Sequence, residues 1–318
     1  MENTLARKLE VAVTAWRTET SWNCDTLCQQ VERAEAMGFH SYWLPENHFG
    51  DERAIPSPLT LLAAAAARTS TIGLATTSYL LPIRHPIQAA EEVAVLDQLC
   101  AGRLILGLGR GVQKSVFEVF GIPTKEKRSR FKKNLNIMIK AWRGEPLLTG
   151  QEGPPVYLAP LPVQRPHPPL WVAAFGPLAL QQVGRLGLPY IGSPIEALED
   201  LASNYRLHRD AAEEAGQKLQ EVVPLMRTVL ITDNQKLASR VRERLEATVP
   251  SQFQGSGVTV EDWAIVGDKH YALEKIGEYA ERLGVTHLIG GGRLPPIDEG
   301  EQLRSHEQLL QVGALLNS

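Results

Sequence analysis

The sequence predicts an α/β fold of the (β/α)8 (TIM) barrel class with an insertion after the fourth strand, and three observations lead there. Short apolar β-type runs alternate with helical ones nearly from end to end, eight strand candidates result, and no Ser/Gly-rich linker or charge block divides the chain. Parallel strands need crossovers, which the helices supply, and closing eight of them into a barrel leaves no open edge. A doubly wound open sheet is the competing architecture. One domain over residues 1–318 is expected, since barrels of this class commonly exceed ~250 residues.

The elements follow in order. LEVAVTA (9–15) is the first strand, followed by a helix from about Asp25, whose carboxylate can cap it, with Leu27, Val31, Ala34 and Met37 at helical spacing and Gly38 as the stop. HSYWLPE (40–46) leads to Ser57-Pro58, a cap and first-turn pair, and an Ala-rich helix to Thr69. TIGLATTS (71–78) precedes a helix from Pro86 to Gly102 with Ile87, Ala90, Val93 and Leu99 on its inward side. RLILGLG (103–109) is the fourth strand. The stretch 110–169 is looser, with one helix from about Ser129 to Trp142 and then a Gly/Pro-rich run; residues 144–168 read as the insertion. LWVAAF (170–175), LPYIGS (188–193), VVPLMRTVLI (222–231) and VTHLIGGG (285–292) supply four more strands.

Composition narrows the function. Lys plus Arg is 33 against 36 Asp plus Glu, a net charge of -3, so no basic excess exists to grip nucleic acid. A hydrophobic share of 43% with 22% charged residues suits a globular core. The first residues lack a secretory h-region and the apolar runs break before ~18 residues, so a cytoplasmic chain outside the membrane is expected. Cys24, Cys28 and Cys100 are sparse and unpaired by motif, consistent with thiols in a reducing compartment and no metal site.

In a barrel, chemistry belongs where strands end. WLPENHF (43–49) places Glu46 and His48 two residues apart at such an end, suited to acid/base work or to fixing a ligand's polar edge; a solvated pair is the plainer alternative. On the fourth strand Gly107 and Gly109 share a face and leave room for a flat ligand, although tight packing would also select glycine. Arg110, between Gly109 and Gly111, suits a phosphate. Gly-Leu-Gly-Arg-Gly departs from the dinucleotide fingerprint, which argues against a nicotinamide site. After the fifth strand, Ala174, Phe175 and Gly176 lead into a helix opening at Pro177, either an anion site or a plain helix start.

WLPENHF (43–49), LPIRHPIQAAEEVAVLDQLCAGRLILGLGRG (81–111), FEVFG (117–121) and AAFGPLAL (173–180), in this order, resemble the bacterial luciferase-like flavin monooxygenase family. The resemblance covers most of the chain and fades at 144–168 and around 233–262. It implies reduced FMN held at the strand C-termini, where flavin and dioxygen oxygenate a small organic substrate, with reduced flavin supplied by a separate reductase. It implies that Glu46 and His48 border the ring and substrate, that Thr76 and Thr77 back the ring, that Gly109, Arg110 and Gly111 receive ring edge and phosphate, and that Gly176 with Ala174 and Phe175 binds phosphate. Asn47 stands where the family commonly has His, so the polarity of the site differs. Gly176-Pro177 is a helix start frequent among relatives that use a deazaflavin coenzyme. A deazaflavin-dependent hydride-transfer oxidoreductase is therefore the alternative, and a non-catalytic flavin-binding protein the second. The resemblance also implies a homodimer, paired through helices beside the second and third strands, where Leu59–Ala67 offers small side chains. The insertion has too few periodic apolar residues for its own core and is expected as a lid over or beside the mouth.

Overall fold

The computed structural model describes residues 8–16, 23–50, 54–148, 154–248, 258–292 and 294–318. In chain order the elements are β1 (Glu10–Thr14), α1 (Cys24–Met37), β2 (Ser41–Leu44), α2 (Pro58–Ala66), β3 (Gly73–Thr76), β4 (Tyr79–Leu80), α3 (Pro86–Leu99), β5 (Leu104–Gly109), α4 (Lys114–Val119) and α5 (Lys127–Trp142). They continue with β6 (Leu170–Ala173), α6 (Pro177–Arg185), β7 (Tyr190–Ile191), α7 (Leu198–Glu214), β8 (Pro224–Ile231), α8 (Gln235–Ala247), β9 (Ala264–Gly267), α9 (Lys269–Leu283), β10 (His287–Gly290) and α10 (Glu299–Leu316). The fold is α/β with parallel strands. Two strands go beyond the eight expected: β4, only two residues long, and β9, which follows a turn closed by a reciprocal Thr259–Asp262 cap.

The chain divides into two compact units, Met1–Trp43 with Ala174–Ser318, and Leu44–Ala173. In the first, β1 pairs in parallel with β2 and β10, β10 with β8, and β8 with β9. All eight residues of β8 are buried, because it lies between two strands and under helices. Gly313 on α10 has no side chain where a Cβ would meet Val11 Cγ2 at 2.4 Å, so this helix sits close on β1. The first helix differs from expectation at its start. Asn23, not Asp25, is the cap, accepting from Thr26 N at 3.0 Å, while Gly38 ends the helix at φ 90° as expected.

In the second unit β5 is central, paired in parallel with β3, β4 and β6; Leu74 is opposite Leu104, Tyr79 opposite Leu108, and Gly109 opposite both Leu80 and Ala173. Helix α5 is tied under the turn before α3, with Asn134 Nδ2 donating to the carbonyls of Leu81 and Arg84, and Trp142 Nε1 to Ala90 O.

Two expectations fail here for one reason. Leu99 is 59% exposed and Asp97 takes the inward place on α3, fully buried. Its carboxylate accepts from Gln164 N at 2.9 Å and Gln164 Nε2 at 2.7 Å, so the buried polar group is satisfied. Gln164 Nε2 also donates to Leu104 O, and Gln98 Nε2 to Leu161 O. The expected lid is thereby fastened at the start of β5, the end opposite Gly109, and within it Leu147 N donates to Val156 O. Residues 149–153 of the expected insertion lie outside the described residues.

Candidate active site

The residues that converge lie within the second unit. Proline at 45 ends the run of β2, and the chain beyond it turns Glu46 and His48 inward, with side chains only 0% and 5% exposed. Glu46 Oε1 faces His48 Nε2 at 2.7 Å and Arg84 Nη2 at 2.7 Å, and Oε2 accepts from Leu80 N at 2.9 Å. Guanidinium and amide only donate, so both carboxylate oxygens accept, and the hydrogen-bond network assigns Nε2 of His48 as a donor. Nδ1 is then the nitrogen left for other partners. The imidazole is walled by Phe120, edge-on at 5.2 Å, and Phe49 at 5.8 Å. Phe49 adopts φ 62°, an uncommon conformation for a bulky side chain.

Asn47 points away from this work. Its Oδ1 accepts from Ile55 N at 2.8 Å and its N–H donates to Ile55 O, stapling the ends of the loop. The change of site polarity expected from Asn47 therefore has no counterpart in its contacts.

At the end of β3, Thr76 is fully buried and donates its hydroxyl to Gly107 O at 2.8 Å, so that side chain secures the sheet. Thr77 N donates to Leu44 O, and the Thr77–Ser78 peptide is cis. A Cβ on Gly109 would stand 1.9 Å from Ser78 Oγ and 2.7 Å from Ser78 Cβ. The slot that the missing side chain leaves is filled by Ser78, so the space expected for a flat ligand at that position is taken and tight packing selects the glycine. Gly111 follows at φ 73° with the Phe117 ring where a Cβ would point.

Arg110, half-buried, has no ion pair among the described residues. Burial first, and then the charge of Arg128, hold its pKa below the ordinary value. Lys127 is lowered in the same way by burial and then by Arg110 and Arg128, while its ammonium reaches Gly111 O at 3.4 Å. Three cations crowded at a strand end repel one another and favour an anion among them. Ala174, Phe175 and Gly176 belong to the first unit. Gly176 caps α6 at φ 79°, ψ 160°, which only glycine adopts readily, and Pro177 opens the helix without a side-chain cap. Among the described residues no group of three or more His, Cys, Asp or Glu is arranged to hold a metal, and no helix is long and apolar enough to cross a membrane.

The family model for luciferase-like monooxygenases matches residues 10–287. The chain belongs to the luciferase-like monooxygenase family. Among relatives, the oxygenase component of the flavin-dependent trigonelline monooxygenase of Acinetobacter baylyi is 27% identical over 215 residues, covering 66% of this chain and 59% of that protein. The match spans between 44% and 60% of the length of this and two further relatives. Among solved structures, the oxygenating constituent of 3,6-diketocamphane monooxygenase of Pseudomonas putida, in complex with FMN, superposes with TM-score 0.81 at 23% identity, covering 97% of this chain and 98% of that one. The coenzyme F420 dependent tetrahydromethanopterin reductase of Methanopyrus kandleri does so with TM-score 0.73 at 19% identity, over 96% and 97%. Of these, the Acinetobacter relative is named flavin-dependent and the Pseudomonas structure holds FMN, whereas the Methanopyrus enzyme is named F420 dependent.

Sequence reasoning missed Arg84 and Lys127, though both lie near motifs it used. Arg84 interrupts the apolar run 80–83 directly before the His85-Pro86 helix start, and an isolated charge there was the available signal.

Proposed function

We propose that this luciferase-like protein is a monooxygenase that uses reduced FMN and dioxygen to oxygenate a small organic substrate, the reduced flavin coming from a separate reductase. The observation that carries the reading is the buried Glu46–His48 dyad in the same unit as a cluster of cations, Arg110, Lys127 and Arg128, at the end of β5. That cluster fits a phosphate monoester, because Arg110 has no acidic partner among the described residues and like charges press on it. When bound, reduced FMN supplies the electrons that place one oxygen atom in the substrate and the other in water. Arg110 with Lys127 would hold the phosphate. Gly109, Gly111, Thr76 and Thr77 would line the ring through their backbone. Glu46 orients His48, whose Nδ1 accepts or returns a proton beside the substrate.

The wider setting belongs to the same proposal: a single closed (β/α)8 barrel domain over residues 1–318, in the cytoplasm, as a homodimer. Coverage of nearly the whole chain by the matched structures supports the barrel. Exposed Val95 and Leu99 on α3, beside the small residues of α2, support the pairing. Deazaflavin-dependent hydride transfer is the second reading, favoured by the Gly176-Pro177 start of α6 and by the F420-dependent structural neighbour. Retention of flavin without turnover would mark the non-catalytic alternative.

The deciding experiment titrates the purified chain with FMN and with deazaflavin, then measures oxygen uptake with supplied reduced FMN across a substrate panel. Uptake linked to product supports the proposal, and His48→Ala should lower turnover by about 10- to 1000-fold with flavin affinity unchanged. Tight deazaflavin binding with no oxygen uptake refutes it.

A further inference from the structure

Arg84 follows the Leu81–Ile83 turn and precedes the start of α3. Its guanidinium returns to the end of β2, where Nη2 shares Glu46 Oε1 with His48 Nε2, each at 2.7 Å. The Tyr79 ring lies under the guanidinium at 4.6 Å, and the Arg84 carbonyl accepts from Asn134 Nδ2 at 3.0 Å. Backbone and side chain are therefore both held. Leu80 N–H, four residues upstream, takes the other oxygen of Glu46 at 2.9 Å.

We propose that Arg84 is a positioning residue: it anchors Glu46 as an acceptor and so sets the Nε2–H tautomer of His48, leaving Nδ1 as the proton acceptor of the site. The inference rests on His48 taking part in turnover, as proposed above. Its first ground is geometric. A carboxylate held at one oxygen only can swing, whereas Leu80 N–H and Arg84 hold Glu46 at both, with its plane presented to the imidazole. The second ground is charge. Two nitrogens that each lie 2.7 Å from one oxygen are within twice that distance of each other, and the guanidinium is always charged. A proton added to His48 must share the carboxylate with Arg84. Among the described residues, the ionisable groups beside Arg84 and Glu46 include Tyr79 from β4 and Glu92 from α3, joined by a 3.2 Å hydrogen bond, while Phe49 and Phe120 against the ring carry no charge.

The test uses the full chain labelled with ¹⁵N-histidine and free of cofactor, read by long-range ¹H–¹⁵N correlation. The expected result is a protonated Nε2 and bare Nδ1 on His48 in the native chain. Arg84→Gln should let the Glu46 carboxylate turn and mix the two neutral tautomers of His48, read from the Nδ1 and Nε2 shifts. Arg84→Lys keeps a charged donor to Glu46 and should restore most of the Nε2–H tautomer. Glu46→Gln, which removes the anchor itself, should release the tautomer too, and it keeps the test decisive if Arg84→Gln does not fold. A native tautomer in Arg84→Gln overturns the proposal. Native turnover in His48→Asn overturns the catalytic reading beneath it, a result the cofactor-free spectra cannot mimic.

Discussion

Adding one methyl group at Gly109 tests how the floor of the candidate site is built. The new Cβ would lie 2.7 Å from Ser78 Cβ and 1.9 Å from Ser78 Oγ. The hydroxyl can rotate away, but Cβ is fixed to the backbone, and carbon atoms rest at roughly 3.5–4 Å. Ser78 must therefore retreat by about 1 Å, and overpacking of this kind costs about 1–3 kcal/mol. The shift also passes along two peptides to Leu80, whose N–H holds Glu46 Oε2 at 2.9 Å, so turnover should fall with stability. The next atom from the added methyl is Leu80 Cδ2 at 3.5 Å, an ordinary contact. Ser78→Gly should consequently rescue Gly109→Ala. Urea denaturation of the two single variants and the double variant gives the coupling energy directly, with an expected favourable value of about 1–2 kcal/mol. Strict additivity of the two substitutions would refute the claim that Ser78 occupies the glycine's slot.

Arg110→Ala should weaken FMN by about 1.5–3 kcal/mol and leave riboflavin nearly unchanged, measured by calorimetric titration; an equal loss for both ligands would remove the phosphate contact. His306, buried on α10 against Trp16, has its pKa lowered by burial from 6.5 to about 4. The unfolded chain then binds a proton that the folded chain refuses between those values, so stability falls as pH drops from 6.5 to about 4, by about 3 kcal/mol in total. His306→Phe should flatten that part of the pH–stability curve, and an unchanged slope would show that His306 is not its source. Gln164→Ala removes the Nε2 bonds to buried Asp97 and to Leu104 O, leaving only the backbone N–H of residue 164 on the carboxylate, and should expose the segment 154–168 to protease at an increased rate. Cleavage as slow as in the native chain would mean that the Asp97–Gln164 contacts do not fasten it.

Much of the fold was legible because it depends on near neighbours in sequence. The alternation of strands and helices, the glycine stop at Gly38 and the helix start at Pro177 follow from local periodicity and backbone sterics. Glu46 and His48 were found together because one loop carries both. What local pattern cannot supply is the identity of a distant partner. Leu99 and Asp97 compete for the inward side of α3, and hydrophobicity alone favours Leu99. Asp97 wins because Gln164, 67 residues further on, satisfies its carboxylate. The same holds for Glu46, whose guanidinium partner is 38 residues away, and for Gly109, whose empty side-chain slot reads from sequence as room for a ligand until Ser78 fills it. The sequence by itself determined the elements and the site's first two residues, since helical and strand periods and turn chemistry act over a few residues. The tertiary structure alone decided the hydrogen-bond partners and the filled spaces, because desolvating a polar group or closing a void is settled by whichever atoms the completed packing brings within contact.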